Sequence, residues 1–260
     1  MGYSLVVYYS LLRRGQAGEI QYISEHKFGH NAAVSTSYEP VSNGGIYRTP
    51  QVSGATALRI KAGNVNDTAA GSGAQEITLV GLDQTGAEIT SVLATAGTSA
   101  SSATSETFIR LYRAFISGSG TYATQSVGSH AADIVIENAA GSEDWATIEL
   151  GGFAEGQTEI AAYTVPLGFT GYIRNIHVSA DSNKAASIYG FKREGILETS
   201  PPYPAMRTWE QFHGILGEES IVPIHPFGPF PELTDVGFLA NVGAQTGEVD
   251  VDFEIELFKT

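Results

Sequence analysis

The sequence predicts an all-β protein of two β-sandwich or jelly-roll-like modules, preceded by an extended N-terminal arm. Three observations carry this. First, Glu248 to Leu257 sets Val249, Val251, Phe253, Ile255 and Leu257 against Glu248, Asp250, Asp252, Glu254 and Glu256, the period of two that sends successive side chains to opposite faces of a strand. Second, Glu155 to Ser179 reads as strand, tight turn, strand. Ile160, Tyr163 and Val165 precede Pro166-Leu167-Gly168, and Tyr172, Ile173, Ile176 and Val178 follow it. These are the β-branched and aromatic types suited to a pleated surface, with proline presetting φ and glycine freeing the exit of the turn. Third, helix-forming windows of Ala, Leu, Glu, Lys and Arg are missing, while 30 glycines punctuate the chain.

The expected division is an arm at 1–28, a β-rich domain at 29–151 and a jelly-roll-like domain with a proline-rich loop at 152–260, split at Gly151-Gly152. With 260 residues, 42% of them hydrophobic, the chain can fill cores for both. The formal charge of −14 disfavours nucleic-acid phosphate as a partner, and no basic stripe offsets it. There is no cysteine, so neither a disulfide nor a thiolate metal site can staple the fold.

Taken in order, the chain opens on the apolar run Leu5-Val6-Val7-Tyr8-Tyr9-Ser10-Leu11-Leu12, followed by Arg13-Arg14. The run is too short to span a bilayer, and its charges follow it where a signal peptide needs them in front. It is expected to be a strand or arm on this protein's own core, or else an arm docking on a neighbouring subunit. A turn-rich segment at 29–50 leads to a short strand at 57–62 and a small polar loop at 64–73. Glu76 to Asp83 and Ala87 to Leu93 then form a hairpin about Gln84-Thr85-Gly86. Ala94 to Ser105 is of low complexity, either loop or Ser/Thr strand. Phe108 to Ile116, Asp133 to Glu137 and Ala146 to Leu150 are expected strands. After Ala185 to Glu194, the long segment Gly195 to Pro231 reads as irregular and carries seven of the ten prolines; such loops usually contact something.

Catalytic chemistry is not indicated. G-x-S-x-G, the P-loop and H-E-x-x-H are absent, and no enzyme activity, catalytic residue, cofactor or metal is expected. His26 and His30 are four apart, a ligand spacing on a helix, but Gly29 argues against one. His130, His177, His213 and His225 look isolated. Asp67, Asp83 and Asp181 sit in turn-like contexts where aspartate caps the backbone. A carboxylate pair for glycoside hydrolysis would meet only in three dimensions. Trp145, Trp209, Tyr203 and Phe212 are either buried aromatics or a sugar-stacking platform. The five acids of the last strand are either a solvated face offset by Arg174, Lys192 or Arg193, or a docking edge for a basic partner or cations. Monodentate acids on a flat strand do not make a calcium cage.

Four stretches, in this order, carry a family resemblance: Phe28-Gly29-His30-Asn31 leading to Gly44-Gly45-Ile46-Tyr47; Asn66 to Gln75 running into Ile77 to Asp83; Phe108 to Ala114; and Gln157 to Tyr172. Across residues 28–180 the chain resembles a family of tailed-bacteriophage virion proteins common in environmental phages. Residues 1–27 match nothing in that pattern. The resemblance implies a β-rich structural component with no catalytic residues. A capsid decoration (cement) protein on the head exterior is expected, with a neck, tail or fibre-attachment component or a carbohydrate-binding receptor protein as alternatives. The implied partners are other virion proteins, the major capsid protein first, and copies of the chain itself in a symmetric homo-oligomer such as a trimer. Neither nucleic acid nor membrane is expected, and the location is the virion, assembled in host cytoplasm. Candidate partner-contact residues are Leu5, Val6, Tyr8, Tyr9, Tyr203, Trp209, Phe227 and Phe230.

Overall fold

The structure, a computed structural model, describes residues 2–48, 54–120, 129–151, 155–243 and 245–259, with the backbone alone for 2–5. The chain begins with helix α1 (Gly2–Gln16), followed by strands β1 (Tyr22–Val34) and β2 (Glu39–Pro40). A single 3-10 turn (Asn43–Gly45) leads to β3 (Leu58–Ala62), β4 (Ala74–Asp83), β5 (Glu88–Ala94), β6 (Phe108–Ser119), β7 (Ile134–Asn138) and β8 (Asp144–Ile148). Then come β9 (Ala162–Thr164), β10 (Phe169–Ala180), β11 (Ala186–Arg193) and β12 (Arg207–Ile215). The last four are β13 (Gly217–Ile221), β14 (Phe227–Phe230), β15 (Asp235–Val242) and β16 (Gly247–Lys259). The all-β class is as the sequence predicts, and the described pairings between named strands are antiparallel.

Two compact units form, but they are nested and not consecutive. One comprises residues 1–41 and 161–260, and the other comprises 42–160. The boundary expected at Gly151-Gly152 therefore moves to two crossing points, near 41 and near 160. Backbone pairing explains why glycine composition missed them. Ala161 N–H donates to Val41 O at 2.9 Å in the first unit, and Asn43 N–H to Glu159 O at 3.0 Å in the second. The chain leaves and returns along neighbouring hydrogen-bonded residues.

In the first unit, one five-stranded sheet has the order β1-β16-β10-β13, with β14 also on β10. The other has the order β12-β11-β15-β2, with β9 also on β15. They face each other as a sandwich, Phe238 of β15 meeting Phe253 of β16 with ring centroids 5.4 Å apart. The apolar residues of β16 supply this core: Val249, Val251, Phe253, Ile255 and Leu257 are all buried. Gly29 of β1 is needed where the chain crosses itself, because a Cβ there would lie 2.2 Å from both Ala161 N and Val41 O.

The stretch around Pro166 is a turn, though not a hairpin. β9 pairs with β15 in one sheet and β10 with β16 in the other, so Pro166-Leu167-Gly168-Phe169 hands the chain from sheet to sheet. Phe169 N–H reaches Pro166 O at 3.2 Å, and Gly168 takes φ +82° at the third position, the left-handed conformation that favours glycine. Alternation identified both strands but carries no information about which neighbour each one takes.

The segment 195–231 is likewise less irregular than its prolines imply. It contains β12, β13 and β14, and the last two share one edge of β10 in tandem. Proline cannot donate to a ladder, so Pro223 and Pro226 release the chain from that edge between β13 and β14. There Val222 and Ile224 stand out, 76% and 86% exposed.

The second unit holds two three-stranded sheets, β3-β7-β8 and β5-β4-β6, with Leu58, Ile60, Ile77, Leu79, Ile134 and Ile136 fully buried. The β4–β5 hairpin is as predicted; Asp83 Oδ1 accepts from Thr85 N–H (2.7 Å) and Ala87 N–H (3.0 Å) across its turn. The low-complexity run is a loop laid along β3. Ser101 and Thr104 donate their N–H groups to Ile60 O and Leu58 O and accept the return bonds on their hydroxyls. Its Ser/Thr content thus completes a sheet edge. Asp67 does more than cap its own turn: fully buried, it accepts from Ala74, Ala131 and Ala132 N–H.

Candidate functional site

The expected N-terminal arm is neither a strand nor extended ahead of β1. Gly2–Gln16 fold as α1, which feeds β1 at Tyr22. Tyr8, Leu11 and Leu12 recur at helical spacing and pack on Ile20, Tyr22, Tyr172 and Phe258. Arg13 and Arg14 fall in the last turn, where positive charge complements the helix dipole. The end is closed by Glu19 N–H on Arg14 O at 2.8 Å and Gly18 at φ +72°. The run of Val and Tyr favoured a strand on propensity; the three-and-four spacing of Tyr8, Leu11 and Leu12 was the contrary signal.

Under this helix lies a buried carboxylate. Glu256 is fully buried. It accepts a short hydrogen bond from the Tyr8 hydroxyl, one from the Tyr22 hydroxyl at 2.8 Å, and Arg174 Nη1 at 3.4 Å. A buried charge persists only when hydrogen-bonded and paired, and three side chains from α1, β1 and β10 do this. Burial first, then the bond to Glu256, pushes the Tyr22 hydroxyl up to about 12. The same causes raise Tyr8. Arg174 is raised by the Glu256 charge.

The remaining acids of β16 share that face. β16 is an interior strand, flanked by β1 and β10, so it is not a docking edge. Of the three cations expected to offset it, only Arg174 is there; Lys192 pairs with Glu194 and Arg193 with Asp235. The complement is supplied instead by histidines. Register sets His26 beside Glu254, His30 beside Asp250 and His177 beside Asp252. Burial raises the Asp252 carboxyl, with His26 and His177 acting against it and Asp250 adding to it. Ser24 Oγ donates to Glu254 at 2.6 Å, and Ser179 Oγ to Asp250 Oδ2 at 2.8 Å. His177, which looks isolated in sequence, thus joins His26 and His30 on one face. His26 and His30 share a face on a strand as well, through the period of two that a helix-based spacing rule overlooks.

The expected contact residues separate. Tyr8, 4% exposed, and Phe230, 2% exposed, are buried in the chain's own core, which removes both as partner contacts in this conformation. Trp209 is half-buried, with Nε1–H on Phe191 O at 2.8 Å and its ring over Gly190 and against Phe227, Phe230 and Phe238. It packs, and it is not an open platform; Phe227 is half-buried beside it. Trp145 and Phe212 are buried. Val6, 71% exposed, Tyr9 and Tyr203 face solvent; the Leu5 side chain lies outside the described residues. His130 is a satisfied core histidine, between Ser129 Oγ and Glu149 O.

An open aromatic surface lies elsewhere. Tyr38 stacks on Tyr189 with centroids 4.2 Å apart and an 18° interplanar angle, and His213 meets Tyr189 edge-on at 5.7 Å. His213 also contacts Ser187 Oγ and Gln211 Oε1. Sequence alone could not find this pair, because residues 38 and 189 meet only through the sheet.

No protein-family model matches the chain, and no curated protein does. Among solved structures, that of the infectious bursal disease virus Gx strain aligns at 10% identity over 92% of this chain and 76% of that chain, with a TM-score of 0.22. The infectious bursal disease virus VP2 subviral particle aligns at 9% identity over 92% and 76%, with a TM-score of 0.19. Similarity at that level carries no argument about fold or role.

Proposed function

We propose that the chain is a non-enzymatic structural component of a tailed-phage particle and, within that class, a decoration protein held on the head exterior. The observation that carries this reading is the ordered four-part sequence resemblance across residues 28–180. Two surfaces of the first unit support it. The outer side of α1 exposes Val6, Val7 and Tyr9, and the loop between β13 and β14 exposes Val222 and Ile224. Apolar side chains gathered at such places suit contact with other proteins, and modest contacts suffice when many copies bind one lattice. The major capsid protein and further copies of this chain are the partners this reading takes, met in host cytoplasm. Adding purified chain to particles that lack it tests the reading. Binding should saturate at lattice stoichiometry and weaken in Val6→Asp and Ile224→Asp. Density confined to neck or tail in cryo-EM would instead make it a connector or fibre-attachment protein.

A second reading, receptor glycan binding, is favoured by the Tyr38–Tyr189 stack. Its exposed ring beside Gln211, His213 and Ser187 offers a stacking face ringed by hydrogen-bonding groups. Under this reading, adsorption to host cells falls in Tyr38→Ala and is unchanged in Tyr203→Ala; host polysaccharide is bound with no release of reducing ends.

A further inference from the structure

The β1–β16 face carries a group whose chemistry exceeds that of an acidic patch. His30 Nδ1 lies 2.6 Å from Asp250 Oδ1 and 3.9 Å from Glu248 Oε1, and the three ligand atoms all fall within 4.8 Å of one another. The backbone fixes them. His30 and Asp250 are directly paired across two strands, and Glu248 precedes Asp250 by two residues, on the same face. His30 is 7% exposed, so its ring cannot swing away into water. Ser179 Oγ holds the second oxygen of Asp250, the outer-shell bond that orients a ligating carboxylate. We propose that His30, Asp250 and Glu248 form a binding site for a divalent transition-metal ion of the zinc class.

The imidazole selects this class. Calcium and magnesium prefer oxygen alone, whereas zinc, cobalt and nickel take nitrogen with carboxylate. The 2.6 Å separation is a hydrogen-bond length, with a proton between nitrogen and oxygen. A metal ion replaces that proton, and the two atoms part to the roughly 3 Å kept by ligands on one ion. Local charge favours the exchange. Glu248 and Asp250 continue into Asp252 and Glu254 along the same face of β16. The neighbouring ammonium of Lys184 is engaged by Asp181 and by Thr246 O. Such an ion clips β1, the strand that follows α1, to the interior strand β16. The remaining coordination positions fall to water or to a partner's side chain. The site does not depend on the virion reading.

Calorimetric titration of the full chain with zinc at neutral pH tests the proposal. One ion per chain is expected, with binding lost in His30→Ala and Asp250→Asn and weakened in Glu248→Gln. Ser179→Ala should cost about 10–100-fold, and the surface control His213→Ala nothing. Zinc uptake by His30→Ala equal to that of the unaltered chain would show counter-ion attraction to the acids alone and overturn the site, as would no uptake at all. A measurement on the unaltered chain guards against variants that fail to fold. Cobalt(II) should give a visible spectrum of mixed nitrogen and oxygen ligation; an aqua-ion spectrum overturns the site.

Discussion

Glu256 shows how one buried charge ties three elements together. Tyr8→Phe removes a donor from a carboxylate that water cannot reach, and should destabilise the chain by about 1–3 kcal/mol, read as a lower denaturant midpoint. The pH dependence has a definite sign. The Tyr8 and Tyr22 hydroxyls ionise in the folded chain above their ordinary value of 10.0. Their stabilising contribution is therefore complete below pH 10 and is lost as pH rises through about 12, the value for Tyr22. A tyrosinate absorbance titration should show a late component that shrinks in Tyr22→Phe; titration of all tyrosines near 10 would contradict the cluster. Asp252 has the same sign at the acid end. Its carboxyl is raised above 3.8, so its ionisation weakens the fold as pH climbs out of the carboxylate range. Asp252→Asn should raise the melting temperature at pH 7, with the gain vanishing below the ordinary carboxylate value. None of this was legible one residue at a time. The acids were plain in the alternation of β16, but His26, His30 and His177 reach them only through register on two further strands.

The helix α1 shows what propensity hides. Its β-branched and aromatic residues suit a strand, yet Tyr8, Leu11 and Leu12 lie on one side at helical spacing and find Tyr172 and Phe258. Tertiary packing decides between the two. Leu11→Ala should cost about 2–5 kcal/mol. Truncation separates the helix from the strand it feeds. Removing residues 1–18 leaves β1 whole and should give a folded, less stable chain with weakened particle attachment. Removing 1–27 takes half of β1 from its pairing with β16 and should unfold the first unit, seen as loss of dispersed NMR resonances. The prolines were likewise only half informative. They mark where the chain leaves the β10 edge, but β13 and β14 are short, with no apolar alternation to announce them.

The all-β class, most strands and the β4–β5 hairpin could be read from period and turn chemistry, since both are local. Nesting could not, because Val41 and Ala161 are neighbours only in space. It has a direct consequence: residues 42–160 expressed alone should fold about their own core, as should 1–41 joined to 161–260 through a short linker, each giving a cooperative melt. The exposed apolar surfaces found on the first unit, at α1 and beside β13, are the ones assigned to docking. The central proposal is that this chain is a repeated structural part of a phage particle. Quantitative mass spectrometry of purified particles against the major capsid protein tests it most directly. The expected result is a copy number in the hundreds, commensurate with the head lattice. About a dozen copies would move the chain to neck or tail, and its absence from the particle would contradict the structural role altogether.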